Sequence, residues 1–114
     1  MKQMLVMRKD LNCRKGKLIA QGAHASTKAL IENLSDYDVR MWLASGMSKI
    51  AVSVDSLEEL EKVVKKASDA GLITAVICDA GKTEFHGVPT ITCAAIGPAS
   101  NEKIDPITGD LKLL

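Results

Sequence analysis

"LITAVICD", Leu72 to Asp79, is an almost continuous apolar run, β-branched at Ile73, Thr74, Val76 and Ile77. That pattern predicts a strand buried on both faces, in the centre of a sheet. The following "AGKTEFHGV" is nine residues long, too short for a crossover helix, so the next strand should return antiparallel. That strand is "PTITCAAIG", opened by Pro89 and closed by Gly97 and Pro98.

Upstream, strands and helices alternate. "SLEE" carries Ser56 and Glu59 in capping-box spacing and starts a helix that Gly71 stops. "KIAVSVD" (Lys49 to Asp55) alternates Ile50, Val52 and Val54 as a strand does. A shorter helix holding Trp42 fits between the caps Ser35 and Asp36 and a stop near Gly46. From about Lys17 to Asn33 a helix is predicted, with Leu18, Ile19, Ala23, Leu30, Ile31 and Leu34 near its aliphatic side. Its Ala20, Gly22, Ala23 and Ala25 permit close packing. "QMLVMR" (Gln3 to Arg8) is the first strand, and "NEKIDPITGDLKLL" reads as a short turn with an extended end. Strands linked through helices pair in parallel by right-handed crossovers. The expected fold class is therefore α/β, a three-layer α/β/α sandwich with a four-stranded mixed sheet whose last strand is antiparallel.

The 114 residues contain no repeat, linker or composition shift, so one domain is expected over residues 1–114. The chain is 46% hydrophobic but only 3% aromatic, so its core must be aliphatic, with Trp42 anchoring its helix to that core or to a subunit interface. A net charge of +1 excludes a strongly basic polyanion-binding domain. A local patch remains: Arg8, Lys9, Arg14, Lys15 and Lys17, with Asp10 opposing. Cys13, Cys78 and Cys93 lack CxxC spacing and read as reduced thiols of a cytoplasmic protein, without metal-site spacing. No run has the length of a membrane span.

Lys17, Gln21, His24 and Lys28 are spaced by four, three and four, one stripe along the long helix. Lys17 falls at the helix N-terminus, where unpaired N–H groups already favour negative charge and stability would prefer an acidic residue. A cation there points to an anionic partner such as phosphate or a developing oxyanion. The second constellation, "DAGKTE" (Asp79 to Glu84), follows the apolar strand. Ligands in open α/β sheets sit beyond the carboxyl ends of strands, so Asp79 and Lys17 should share that edge. Gly81 permits a tight turn, and Asp79 and Thr83 offer an acceptor and a hydroxyl. His24 reads as a packed, hydrogen-bonded helix residue rather than a base. Ser26 lacks a nucleophile elbow, which disfavours a serine hydrolase.

The stretch "RKDLNCRKGKLIAQGAHA" resembles the N-terminal signature of the type II peptidyl-tRNA hydrolase family, roughly RxDLxMxxGKxAAQxxHA. "WLASGMSKIAVSVDSLEEL", "ASDAGLITAVICDAGKTE" and "AIGPASNEKIDPITGDLKLL" resemble its later segments, in order and over essentially the full length. The resemblance implies cleavage of the ester between a peptide and the 3′ ribose of tRNA, on a three-layer fold, usually as a homodimer, with no metal and no cofactor. It implies catalytic roles for Lys17, Asp79 and Thr83, and substrate contacts from Gln21, His24 and Gly81 beside the cations Arg8, Lys9, Arg14 and Lys15. Glu84 departs from the usual glutamine, and a carboxylate near an RNA backbone repels phosphate unless a cation pairs with it. The other reading is a non-catalytic RNA-binding or protein-interaction module on the same fold.

Overall fold

The structure, a computed structural model, describes residues 1–81 and 85–114. In chain order the elements are β1 (Lys2–Arg8), α1 (Lys15–Ile31), α2 (Tyr37–Ala44), β2 (Lys49–Val54), α3 (Leu57–Asp69), β3 (Thr74–Asp79), β4 (Thr90–Ala99), α4 (Asn101–Thr108) and β5 (Lys112–Leu113). One mixed sheet runs in the order β3-β4-β1-β2-β5. β1 pairs with β2 in parallel, Val6 opposite Val52, while β4 runs antiparallel to β1 (Leu5 opposite Ala95) and to β3 (Val76 opposite Ala94). The α/β class, the mixed sheet and the antiparallel return are as expected.

Three expectations change. The sheet has five strands rather than four, because the C-terminal end pairs antiparallel with β2, Val52 opposite Leu113. The segment before it is an eight-residue helix, α4, despite Pro106, whose missing N–H argues against helix in the sequence. Most consequentially, β3 is an edge strand, and the centre of the sheet is β1, with β4 between them and buried from Thr92 to Ala99. β3 is apolar on both faces because α1 covers one and α3 approaches the other, so a covered strand need not be a central one.

Alternation along β1 divides the core. Met4 and Val6 face α3 and α4, with Val52, Leu60, Val63, Ile96 and Ile104. Met7 faces α1, with Ala25, Ala29, Ala75, Cys93 and Ala95. The second layer is built of small residues, which lets α1 lie close: a methyl on Gly22 would stand 3.5 Å from Leu5 Cδ1. That proximity corrects the sequence reading of α1. Its packed side is Gly22, Ala25, Ser26 and Ala29, whereas Ile19, Ile31 and Leu34 are exposed. One polar contact crosses this layer: the Ser26 hydroxyl donates to Gln3 Oε1 at 2.6 Å, both residues buried. Gln3 Nε2 is a buried donor without a partner among the described residues.

The caps follow the sequence. Asp36 Oδ1 accepts from Asp38 N at 2.8 Å, and Ser56 Oγ accepts from Glu59 N at 3.1 Å while Glu59 returns a carboxylate oxygen to Asp55 N. Trp42 is buried against the core, its indole N–H donating to Ser48 O at 2.8 Å, which anchors α2. Among the described residues no helix is long and apolar enough to cross a membrane.

Candidate active site

The helix α1 opens with Arg14 at its N-cap position, which makes no side-chain cap hydrogen bond, and its first turn holds no acidic residue. Lys15 and Lys17 thus stand at the positive end of the helix dipole, an arrangement that costs helix stability. The compensating charge comes from another element. Asp79, the last residue of β3, places Oδ2 at 2.7 Å from Lys17 Nζ, with both side chains largely covered, 16% and 13% exposed. A strand end and a helix start that are 62 residues apart therefore meet at the carboxyl edge of the sheet, as expected.

Two further groups fix Asp79. Gln21 Nε2 donates to Oδ2 at 3.0 Å, and the Gly81 backbone N–H donates to Oδ1 at 2.7 Å. Gln21 is itself held, because Thr92 Oγ1 donates to its Oε1 at 2.6 Å. Thr92 and Gln21 are both buried, so the amide's orientation is set by strand β4. The Phe85 ring lies 5.8 Å from Lys17 Nζ, within cation–π range.

The electrostatics follow from these contacts. The Lys17 ammonium, then the Gly81 N–H, and more weakly Gln21, hold the Asp79 carboxyl below the ordinary carboxylate value, with burial acting the other way. Among the described residues Oδ2 accepts from two donors, Lys17 and Gln21, whereas Oδ1 accepts from one, the Gly81 N–H. Such a carboxylate is a weak base but a fixed acceptor. Nearby Cys93 donates to Gln21 O, and burial pushes its thiol up to about 11, so it stays protonated at neutral pH.

Of the residues named from sequence, Lys17, Gln21, Asp79 and Gly81 come together in this network. Thr83 and Glu84 lie outside the described residues. Arg8 forks onto Asp10, Nη2 at 2.7 Å from Oδ2, and also donates to Ile91 O, so its guanidinium serves the strand ends. Lys9, Arg14 and Lys15 are exposed around the helix start. His24 is exposed on the outer side of α1, not packed as expected. Lys28, last of the stripe, donates to Val76 O at 3.0 Å. Sequence reasoning missed Thr92 and Phe85. Thr92 had a signal, a hydroxyl on the inward side of a strand otherwise filled by Ala, Cys and Ile. Phe85 had none beyond the scarcity of aromatics. Among the described residues no group of three or more His, Cys, Asp and Glu side chains is gathered as metal ligands.

The family model described as Peptidyl-tRNA hydrolase PTH2 matches residues 1–114. Relatives named peptidyl-tRNA hydrolase include those of Metallosphaera sedula, 47% identical, and Methanothermobacter thermautotrophicus, 45% identical, each match covering 100% of both chains. The peptidyl-tRNA hydrolase of Methanocaldococcus jannaschii is 44% identical with the same coverage.

Proposed function

The chain belongs to the type II peptidyl-tRNA hydrolase family, and on that premise we propose that its reaction is carried by Lys17 and Asp79, with Thr83 in support. The protein is a hydrolase of the ester between a peptide, or an N-blocked aminoacyl group, and the 3′ end of tRNA. In that reaction the oxygen of water bonds to the carbonyl carbon, the bond to the ribose oxygen breaks, and a proton from water ends on that oxygen.

The observation that carries the assignment of roles is the 2.7 Å pair between Lys17 and Asp79 at the strand ends. Asp79, held ionised, orients the attacking water as an acceptor, through Oδ1, rather than stripping its proton. The Lys17 ammonium and the N–H groups of the first turn of α1 stabilise the charge that builds on the carbonyl oxygen, or the terminal phosphate. Gln21 and Gly81 keep the carboxylate in place. Lys9, Arg14 and Lys15 supply a modest attraction for the tRNA backbone.

The test is release of label from N-blocked aminoacyl-tRNA, run beside a gel shift with uncharged tRNA. Release is expected, with an apparent affinity that falls as salt rises, since each phosphate contact frees counterions. A gel shift without release would select the non-catalytic module instead.

A symmetric dimer is part of the same proposal. Ile19 is 74% exposed beside an apolar hollow lined by Leu5, Leu18, Ala51 and Leu114, over the part of the sheet that α1 leaves open. Apolar surface of this kind marks an interface, and a two-fold contact is the commonest way to cover it. Light scattering is expected to return twice the 12.2 kDa chain mass. Ile19→Asp should shift it toward one chain, and a wild-type mass of one chain would remove the dimer.

A further inference from the structure

The outer edge of β3 leads straight to the active site. β3 is the last strand on its side of the sheet, so half of its backbone groups face away from β4. Their parity can be read from two contacts. The carbonyl of Ile73, just before the strand, accepts from Gly97 N of β4 at 2.8 Å and so points inward. Counting by two, Ala75 and Ile77 also point inward, while Thr74 and Val76 point outward. Lys28 confirms the outward set by donating to Val76 O from the solvent side. Three residues on, the same strand ends at Asp79 in the Lys17 network.

From this continuity we propose that the peptide part of the substrate binds as an added strand along the outer edge of β3. The inference rests on the hydrolase reading. The ester carbonyl sits at Asp79, and the peptide extends from it toward its own N-terminus. Its C-terminal end therefore lies at the C-terminal end of β3, and the added strand runs parallel to β3. The enzyme must accept peptides of many sequences. Hydrogen bonding to the main chain is the form of recognition that ignores side chains, and an open strand edge supplies it. Alternate side chains of the peptide would fall toward α1, near Lys28, or toward the shallow groove formed by Val64, Lys65, Ser68 and Ile91 on the α3 side. Lys28 covers one edge carbonyl without substrate and, being exposed and flexible, is readily displaced by a peptide N–H.

The test varies the substrate, so the folding of the enzyme is not at stake. The wild-type protein is given N-acetyl-aminoacyl-tRNA and a series of N-acetyl-peptidyl-tRNAs lengthened one residue at a time. The ratio kcat/KM is expected to rise about tenfold over the first three or four residues and then level off, as two or three net hydrogen bonds form. A single N-methyl group scanned along the peptide amides should reverse that gain at every second amide only, since alternate N–H groups face β3. A rate independent of length, or N-methyl effects without alternation, overturns the added strand while release from the one-residue substrate leaves the hydrolase reading standing. No release from any substrate overturns both.

Discussion

Lys17→Ala is expected to lower single-turnover cleavage of peptidyl-tRNA by about 10²–10³-fold, the range seen when one preorganised oxyanion donor is removed. On the proposed role the ammonium acts at three points: it would face the developing charge, it neutralises Asp79 at 2.7 Å, and it lies 5.8 Å from the Phe85 ring. Removing it takes all three away, yet it relieves a cation at a helix start, so the far-UV circular dichroism should be unchanged. The pH profile gives a second readout. Lys17 is the largest cause that lowers the Asp79 pKa. In the wild type the acid limb governed by Asp79 therefore lies below the ordinary value of about 3.9. In the variant that limb moves up, because the opposing effect of burial remains. Stability follows the same sign. A depressed carboxyl contributes stability that is fully present above its unfolded pKa and is lost as pH falls through its lower folded value. The contribution Asp79 gains from Lys17 is thus present at neutral pH and vanishes in strong acid. Near-normal cleavage by Lys17→Ala would end the assignment.

Gly81→Ala is expected to cost about 10²-fold in the same assay, although it removes no functional side chain. Gly81 has φ +82°, and an added Cβ would stand 2.2 Å from Val88 O and 2.7 Å from Val88 N. Both contacts are with backbone, so the two sides of the loop must part. The Gly81 carbonyl would then lose its bond from Gly87 N, now 2.8 Å, and the Gly81 N–H would be drawn off Asp79 Oδ1. Gly87→Ala is the control. Gly87 shares the positive φ, +79°, but nothing lies within 4 Å of its added Cβ, so that variant carries the conformational strain alone. Cleavage lost equally in both variants would show that strain, not displacement of Asp79, is responsible.

The sequence made the layers legible because their signals are local. The alternating Ile50, Val52 and Val54, the capping box at Ser56 and the Gly71 stop each require only a few neighbouring residues, and the strand with those three in one core layer, the cap and the stop are in the structure. The crevice was legible for a different reason: Lys17 violates helix electrostatics, and a violation points to a partner. Strand order was not legible. An apolar run reports that both faces are covered, whereas its place in the sheet depends on which strand reaches it, and β4 does so from beyond the loop. The large aliphatics of α1 also misled, since the closeness of a helix to a sheet is decided by small residues such as Gly22 and Ala25. The hydrogen bond between Thr92 and Gln21 spans 71 residues, so no local pattern carried it.

The pair formed by Gln3 and Ser26 acts as an alignment pin. A one-residue slip of α1 over the sheet would turn the helix by roughly 100° and pull the serine hydroxyl off the amide oxygen, stranding a buried acceptor. The pin sits about 14 Å along the helix axis from Lys17, counting nine residues of rise. On the proposed roles, aim at the scissile bond is therefore set in part by a buried contact well removed from it along the helix.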